Sequence, residues 1–381
     1  MAAPAAATVA AAAAAGGHRF DFDVIVVSAG IMGSCPRRLP GRAVPADGAR
    51  PPPLGGRRGR VRAPRPHPDA AALPGPAQRC LGPRRRRERR RGGGGRPGRQ
   101  VGRRVPGPRW VGGRRSERGS GVLNATEAVR MFQALAPKKG AVVRDNAEVV
   151  GIRKGPEGGV VVETSTGEEF SGAKCVVTVG AWTSKLVKSV AGVDFPIQPL
   201  HTMFLYWRIK PGRERELTVE AGFPTFSSYC APHFVYSTPS LERPGMIKIN
   251  YHGGPPCDPD SRDLVSGDGD GVERVARWID EFMPGRVETA GGPADRLPCM
   301  YSMTPDEDFV IDFLGGKFGE DVVIGAGFSG HGFKMGPAVG SILAEMAMDG
   351  EARTAAEAGV ELGHFRINRF DGNPMGNAKD L

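Results

Sequence analysis

"DVVIGAGFSGHGFKMGPAVGSILAEMAMDG", residues Asp321 to Gly350, is the stretch whose reading decides the fold. Val322 to Ile324 are apolar and β-branched and read as a buried strand. Gly325, Gly327, Gly330 and Gly332 then make a conformationally permissive loop. Pro337 stands where a helix would begin and Gly350 where it would stop. Between them Val339, Leu343 and Met346 share one helical face. A strand, a Gly-rich loop and a helix in that order aim backbone N–H groups at an anion near the helix N-terminus. The stretch predicts an α/β domain built around an anionic ligand.

A second stretch of the same grammar lies near the start, "DFDVIVVSAGIMGS", residues 21–34. Val24 to Val27 form an apolar strand. Ser28, Gly30 and Gly33 occupy the three positions of a dinucleotide G-x-G-x-x-G, with Ala29, Ile31 and Met32 between them. In that motif the first glycine permits the turn, the second lets backbone approach a pyrophosphate, and the third lets helix pack on strand. Ser28 stands in the first place; if the turn needs positive φ there, the cost is about 1–2 kcal/mol. The helix, second strand and acidic residue that should follow within about 20 positions would fall in text rich in Arg, Pro and Gly. Pro36 and Pro40 disfavour a regular helix there. The fingerprint is half a motif.

That text shapes the composition of the whole chain. Residues 35–120 hold 25 Arg, no Lys and four acids, so this segment carries +21; on a total of +11 the remainder carries −10, a mildly acidic, enzyme-like balance. The segment also lacks Ile, Met, Phe, Tyr, Asn and Thr, while Lys occurs eleven times elsewhere. Its extreme is "GPRRRRERRRGGGGRPGRQ", Gly82 to Gln100. A basic arm for nucleic acid has no reason to exclude Lys, which neutralises phosphate as a point charge. Its one aromatic, Trp110, does not supply the interleaved stacking of a single-strand binder. GC-rich coding text translated out of frame, or mis-spliced, has this signature. On either origin the segment buries too little apolar surface to offset chain entropy and is expected to be disordered.

The rest of the chain is ordinary. Its 381 residues allow one large or two medium domains. Cysteines at 35, 80, 175, 230, 257 and 299 show no C-x-x-C spacing, so no metal site and no disulfide framework are expected. Residues 1–17 are mostly Ala and Gly without a basic start, so a secretory signal is not expected. No run of about 20 strongly apolar residues predicts a membrane span. Asn124 and Glu127 have capping-box spacing ahead of Val129, Phe132 and Ala136, with Pro137 and Gly140 to end the helix. "VVVETSTGEEFSGAKCVVTVGAW" predicts strands either side of a Thr166-Gly167 turn, and "HTMFLYWRI" and "GMIKINYH" predict further strands. "GVERVARWIDEFMPG" sets Val272, Val275, Trp278, Ile279 and Phe282 on one helical face.

"VIVVSAGIMGS", "VVTVGAW", "KINYH", "CMYSMTPDEDFVID" and "GAGFSGHGFKMGP", in this order, resemble the monomeric sarcosine oxidase and pipecolate oxidase family, and its plant branch most closely. The resemblance covers residues 21–34 and then 121 to about 375. It implies an α/β (α+β) fold: an FAD-binding, Rossmann-like domain of the D-amino-acid-oxidase type with a substrate domain built on an antiparallel β-sheet. On that basis 1–20 is a low-complexity leader, and 21–34, 121–190 and 301–360 form the FAD domain. Residues 35–120 fall outside the pattern, 191–300 form the substrate domain and 361–381 a tail.

The resemblance also implies roles for residues. Cys299 matches the cysteine that bonds covalently to the flavin 8α-methyl. Lys248 matches the lysine whose charge stabilises the superoxide formed as O2 is reduced. His252 lines the same pocket, Tyr301 reaches the substrate carboxylate, and Lys334 grips it. Gly327, Ser329, Gly330, His331 and Gly332 line the flavin edge, Val149 meets adenine, and Trp182 ends a strand near the cofactor. The family's "S-S-H-G-x-x-R" loop, whose arginine is the usual partner of Lys334, cannot be read in this chain.

The reaction so implied is oxidation of a secondary amino acid, sarcosine or L-pipecolate, with FAD as cofactor, O2 as second substrate and H2O2 as product. A monomer in the peroxisome or cytoplasm is expected, without membrane or nucleic-acid partners. Lys379-Asp380-Leu381 makes a poor peroxisomal tripeptide. The second strand, ribose acid and flavin-wrapping loop should lie in the interval that does not match, so the chain as written is expected to bind FAD poorly. An Arg-rich nucleic-acid binder and an inert frameshifted product stand as the other readings.

Overall fold

The computed structural model describes residues 9–13, 20–27, 121–229, 234–261 and 269–378. The Ser28–Gly33 turn and the Arg-rich text lie outside them. The described chain opens with β1 (Val9–Ala13) and β2 (Phe22–Val27), then helix α1 (Ala125–Lys138). Strands β3 (Ala141–Arg144), β4 (Val149–Lys154), β5 (Val160–Thr164) and β6 (Glu169–Val177) lead to α2 (Thr183–Ala191). Next come β7 (Gln198–Arg208), β8 (Phe226–Ser228), β9 (Val235–Thr238), β10 (Met246–Tyr251) and α3 (Gly269–Phe282). Strands β11 (Asp295–Met303), β12 (Val310–Phe313) and β13 (Val322–Ala326) precede α4 (Gly336–Asp349) and α5 (Arg353–Glu357).

Two sheets result. The first has eight strands in the order β12-β13-β6-β2-β1-β3, with β5 on β6 and β4 beyond it. At its centre β2, β6 and β13 run parallel, Val27 opposite Val177 and Val177 opposite Ile324. Their apolar runs are buried on both faces, as a parallel core requires. One face carries Ile25, Val27, Cys175, Val177 and Ile324 against Val187 and Val190 of α2. The other carries Val24, Val26, Val176 and Val323 against Val339, Ile342, Leu343 and Met346 of α4. Gly325 is where α4 comes closest: a Cβ there would lie 2.7 Å from Leu343 Cδ1.

The second sheet is antiparallel throughout, in the order β11-β7-β10-β9-β8. Helix α3 covers one side, where Val272, Val275, Trp278 and Ile279 pack on Leu205, Trp207, Ile247 and Ile249. Trp278 stacks between Phe226 and Phe282, at centroid distances of 5.0 and 5.2 Å. Pro298 sits in β11, which among the described residues pairs with β7 alone; an edge strand tolerates a residue without an N–H.

Several local expectations are met and two are refined. Asn124 caps α1, accepting from the Glu127 N–H at 3.2 Å. That helix runs one residue past Pro137, to Lys138, and buries none of its side chains among the described residues. The Ala-rich leader supplies a strand: β1 lies between β2 and β3, antiparallel to both. A dinucleotide domain places its second strand, parallel, beside the first; in this chain β1 takes that flank.

Candidate active site

The face of the second sheet opposite α3 carries the chemistry. Residues directly opposite one another in paired strands share a face. Cys299 lies opposite Thr202, Leu297 opposite Phe204 and Asp295 opposite Tyr206 in the β11–β7 pair. Lys248 lies opposite Tyr206 on β7 and Thr238 on β9. With period-two alternation, Lys248, Cys299, Tyr301 and Tyr236 therefore project to one side. Lys248 and Cys299 flank β7 from either side, four residues apart in its register, or about 13 Å along the strand.

At the Cys299 end a polar-aromatic group closes the surface. The hydroxyls of Tyr301 and Tyr236 hydrogen-bond at 3.2 Å. The His252 ring lies 5.0 Å from that of Tyr301 and 4.4 Å, edge-on, from that of Phe234. Burial, with the charge of His331 nearby, pushes the His252 imidazole down to about 4, so it is neutral at neutral pH. Burial, then the neighbouring Tyr236, raises the Tyr301 phenol far above its usual range.

The Gly-rich loop of the first sheet docks on this end. The Ser329 N–H donates to Ser302 O at 3.0 Å, and the Ser302 hydroxyl donates to Gly180 O at 3.2 Å. Ser329 is fully buried with φ of 45°. Its hydroxyl turns inward, donating to Gly327 O at 3.0 Å and accepting from the Thr304 N–H at 3.2 Å. Gly330 (φ 77°) leans on the aromatic group; a Cβ there would lie 2.8 Å from both His252 Cε1 and Tyr301 Cζ. His331 is exposed and donates from Nε2 to Glu307 O at 3.0 Å.

The structure therefore brings together His252, Tyr301 and Gly330, with Cys299 and Lys248 on the same face. Other expected residues turn elsewhere. Lys334 is exposed and donates to His331 O at 3.2 Å. The Trp182 indole donates to Asp260 Oδ1 at 2.7 Å. Val149 opens β4, the outermost strand of its branch, and packs on the core. Ser28, Ala29, Gly30, Ile31, Met32 and Gly33 lie outside the described residues. Sequence reading missed Tyr236 and Glu242. The first could be found from the β9–β10 register, which sets Tyr236 two residues from the partner of Lys248. Glu242 lies in the turn before β10, where strand periodicity has no grip.

A flat, anionic ring system fits the residues present. It would rest on the Lys248–Cys299 face, beside the loop that packs on His252 and Tyr301 at Gly330. The adenosine half has no such cradle among the described residues, since β1 occupies the flank of β2 with the opposite strand direction. Among the described residues no group of His, Cys, Asp and Glu could hold a metal ion, and no helix is long and apolar enough to cross a membrane.

Comparison with known proteins gives the family of the chain. The family model for FAD dependent oxidoreductases matches residues 57–346. The probable sarcosine oxidase of Arabidopsis thaliana is 56% identical over 262 residues, 68% of this chain and 61% of that protein. The human peroxisomal sarcosine oxidase is 36% identical over 255 residues, 66% of this chain and 60% of that protein. The crystal structure of an L-proline dehydrogenase from P. horikoshii superposes with a TM-score of 0.52 at 22% identity, covering 65% of this chain and 60% of that one.

The chain belongs to the FAD dependent oxidoreductase family, in the group that holds the sarcosine oxidases. It spans about three fifths of the length of the curated relatives it matches. The family match begins at residue 57, inside the Arg-rich text, and so reaches further into that text than the quoted motifs do.

Proposed function

We propose that the intact site oxidises small secondary amino acids, sarcosine or L-pipecolate, and that this chain carries its flavin-ring half. The observation that carries the reading is the common face of Lys248, Cys299 and Tyr301, met by the loop at Gly330. The names of the Arabidopsis and human relatives support the substrate class, and the human one a peroxisomal location. When bound, the flavin accepts a hydride equivalent from the carbon next to the amine nitrogen, and O2 takes up the electrons as H2O2.

The residues of this chain would do the rest. Cys299 would hold the ring edge through its sulfur. Neutral His252 places no second positive charge beside an incoming amine. The Tyr301 and Tyr236 hydroxyls, both protonated, can donate to a substrate carboxylate. Lys248 brings the fixed cation that favours charge developing on O2. Lys334 would reach the carboxylate only by leaving His331 O. We assign the FAD domain to 21–34, 121–190 and 301–360 and the substrate domain to 191–300. The adenosine half has no cradle among the described residues, so FAD should bind weakly and the site act as a monomer of reduced activity.

The test is turnover of the full chain with excess FAD, sarcosine or L-pipecolate, and H2O2 detection, beside Lys248→Met. The reading expects slow, FAD-dependent H2O2 release that Lys248→Met suppresses at least tenfold. Release that is unaffected by Lys248→Met, or that is seen only with primary amines, would contradict it.

A further inference from the structure

One charged group on the site face has no part in this scheme. Both carboxylate oxygens of Glu242 lie 3.3 Å from Lys248 Nζ. Oε2 also accepts from the Tyr206 hydroxyl at 2.6 Å, and Tyr206 stands directly opposite Lys248 across the β10–β7 pair. The ammonium lies 5.5 Å from the centroid of the Phe204 ring. The Lys248 side chain is only 18% exposed and that of Glu242 39%.

The neighbouring charges are already matched. Arg243 lies over the Tyr206 ring, 4.1 Å from its centroid, and pairs with Asp295. That leaves the Glu242 carboxylate to Lys248 and the Tyr206 hydroxyl. Burial works against the charged carboxylate, but the Tyr206 hydrogen bond and the Lys248 charge outweigh it and hold its carboxyl below the usual range. Glu242 is thus an anion at neutral pH, held against the Lys248 ammonium.

We propose that Glu242 is a positioning counter-ion for Lys248: it fixes where the ammonium sits and cancels much of the field that the ammonium casts on the site. Coulomb energy falls as the inverse of distance at any dielectric. A carboxylate 3.3 Å from the ammonium therefore removes at least roughly half of the potential felt about 4 Å from it. A small anion forming on the site face gains less from the pair than from a bare lysine. The consequence for O2 rests on the proposed function. The pairing does not, because it is read from the contacts of Glu242 itself.

The test uses the full chain and the variants Glu242→Gln and Glu242→Asp, with thermal midpoints taken to show that each folds. The first readout is the rate at which sulfosuccinimidyl acetate acylates Lys248, followed by peptide mass, with Lys188 as an internal control. Losing the carboxylate charge releases the Lys248 amine from its ion pair. Glu242→Gln should therefore speed Lys248 acylation about 3- to 10-fold, Glu242→Asp should restore a rate near wild type, and Lys188 should not change. Equal Lys248 rates in wild type and Glu242→Gln would overturn the proposal. The second readout is reoxidation of the flavin-loaded fraction by O2, expected to rise at least 3-fold in Glu242→Gln while anaerobic reduction by sarcosine is unchanged. Faster acylation with unchanged reoxidation overturns the field effect. Wild-type reoxidation in Lys248→Met would instead sink the role given to Lys248 in the proposed function, leaving the pairing to the first readout.

Discussion

His252 is held neutral by its surroundings, and that has a consequence for stability. Its folded value of about 4 lies below the ordinary 6.5. Between those values the unfolded chain binds more protons than the folded one. Stability is then full above about pH 6.5 and is lost as pH falls towards 4, by up to about 3 kcal/mol. Denaturant melts across that window should show this slope in wild type and a flatter one in His252→Asn; equal slopes would show that His252 is not buried as described. Gly330 is the other residue on which the surface depends. Gly330→Ala places a Cβ against His252 and Tyr301 at positive φ. The backbone alone costs about 1–2 kcal/mol, so the thermal midpoint should drop by about 3–8 °C. No drop would mean that the loop does not rest on those rings. At this scale the sequence is readable unevenly. Lys248 and Cys299 are chosen by motif, and strand alternation explains why they face one way. Glu242 could not be found, because what ties it to Lys248 is a turn conformation.

Among the elements, the loop from Gly327 to Gly332 is held from behind by the C-terminal segment. Arg369 donates to Asp306 Oδ2 at 2.7 Å and Oδ1 at 3.0 Å, and to Asp308 O at 2.9 Å. The Thr304 hydroxyl donates to Asp308 O at 2.8 Å, and the Thr304 N–H bonds Ser329. The Arg369–Asp306 pair is almost wholly buried, at 5% and 0% side-chain exposure. Arg369→Ala would strand a buried carboxylate and should cost about 3–5 kcal/mol, measured by urea denaturation. A loss under 1 kcal/mol would show that the tail is not a clasp. The strand–loop–helix of residues 321–350 and the helix of residues 269–282 were readable because each buries a regular apolar face. Strand β1 was not, since an Ala-rich leader carries no β-branched alternation; pairing with β2 and β3 decides its state.

Across the whole molecule, two sheets meet where β11 ends and the Gly-rich loop docks. The family and the antiparallel sheet were legible from five short motifs. The adenosine half was not, because the Arg-rich text of residues 35–120 carries no apolar period from which a helix or strand could be read, and the relatives are longer than this chain. In and beside helix α1, Leu123, Met131 and Leu135 are exposed, at 58%, 49% and 39%. The claim that orders all of this is that Lys248 and Cys299 face a single ring. It is tested most directly by saturating the full chain with FAD or lumiflavin and following alkylation of cysteines and acylation of lysines by peptide mass. The account predicts that either flavin slows modification of both Cys299 and Lys248, leaves Cys257 and Lys188 unchanged, and is needed at similar concentrations. Protection of only one of the pair, or of neither at saturating lumiflavin, would contradict it.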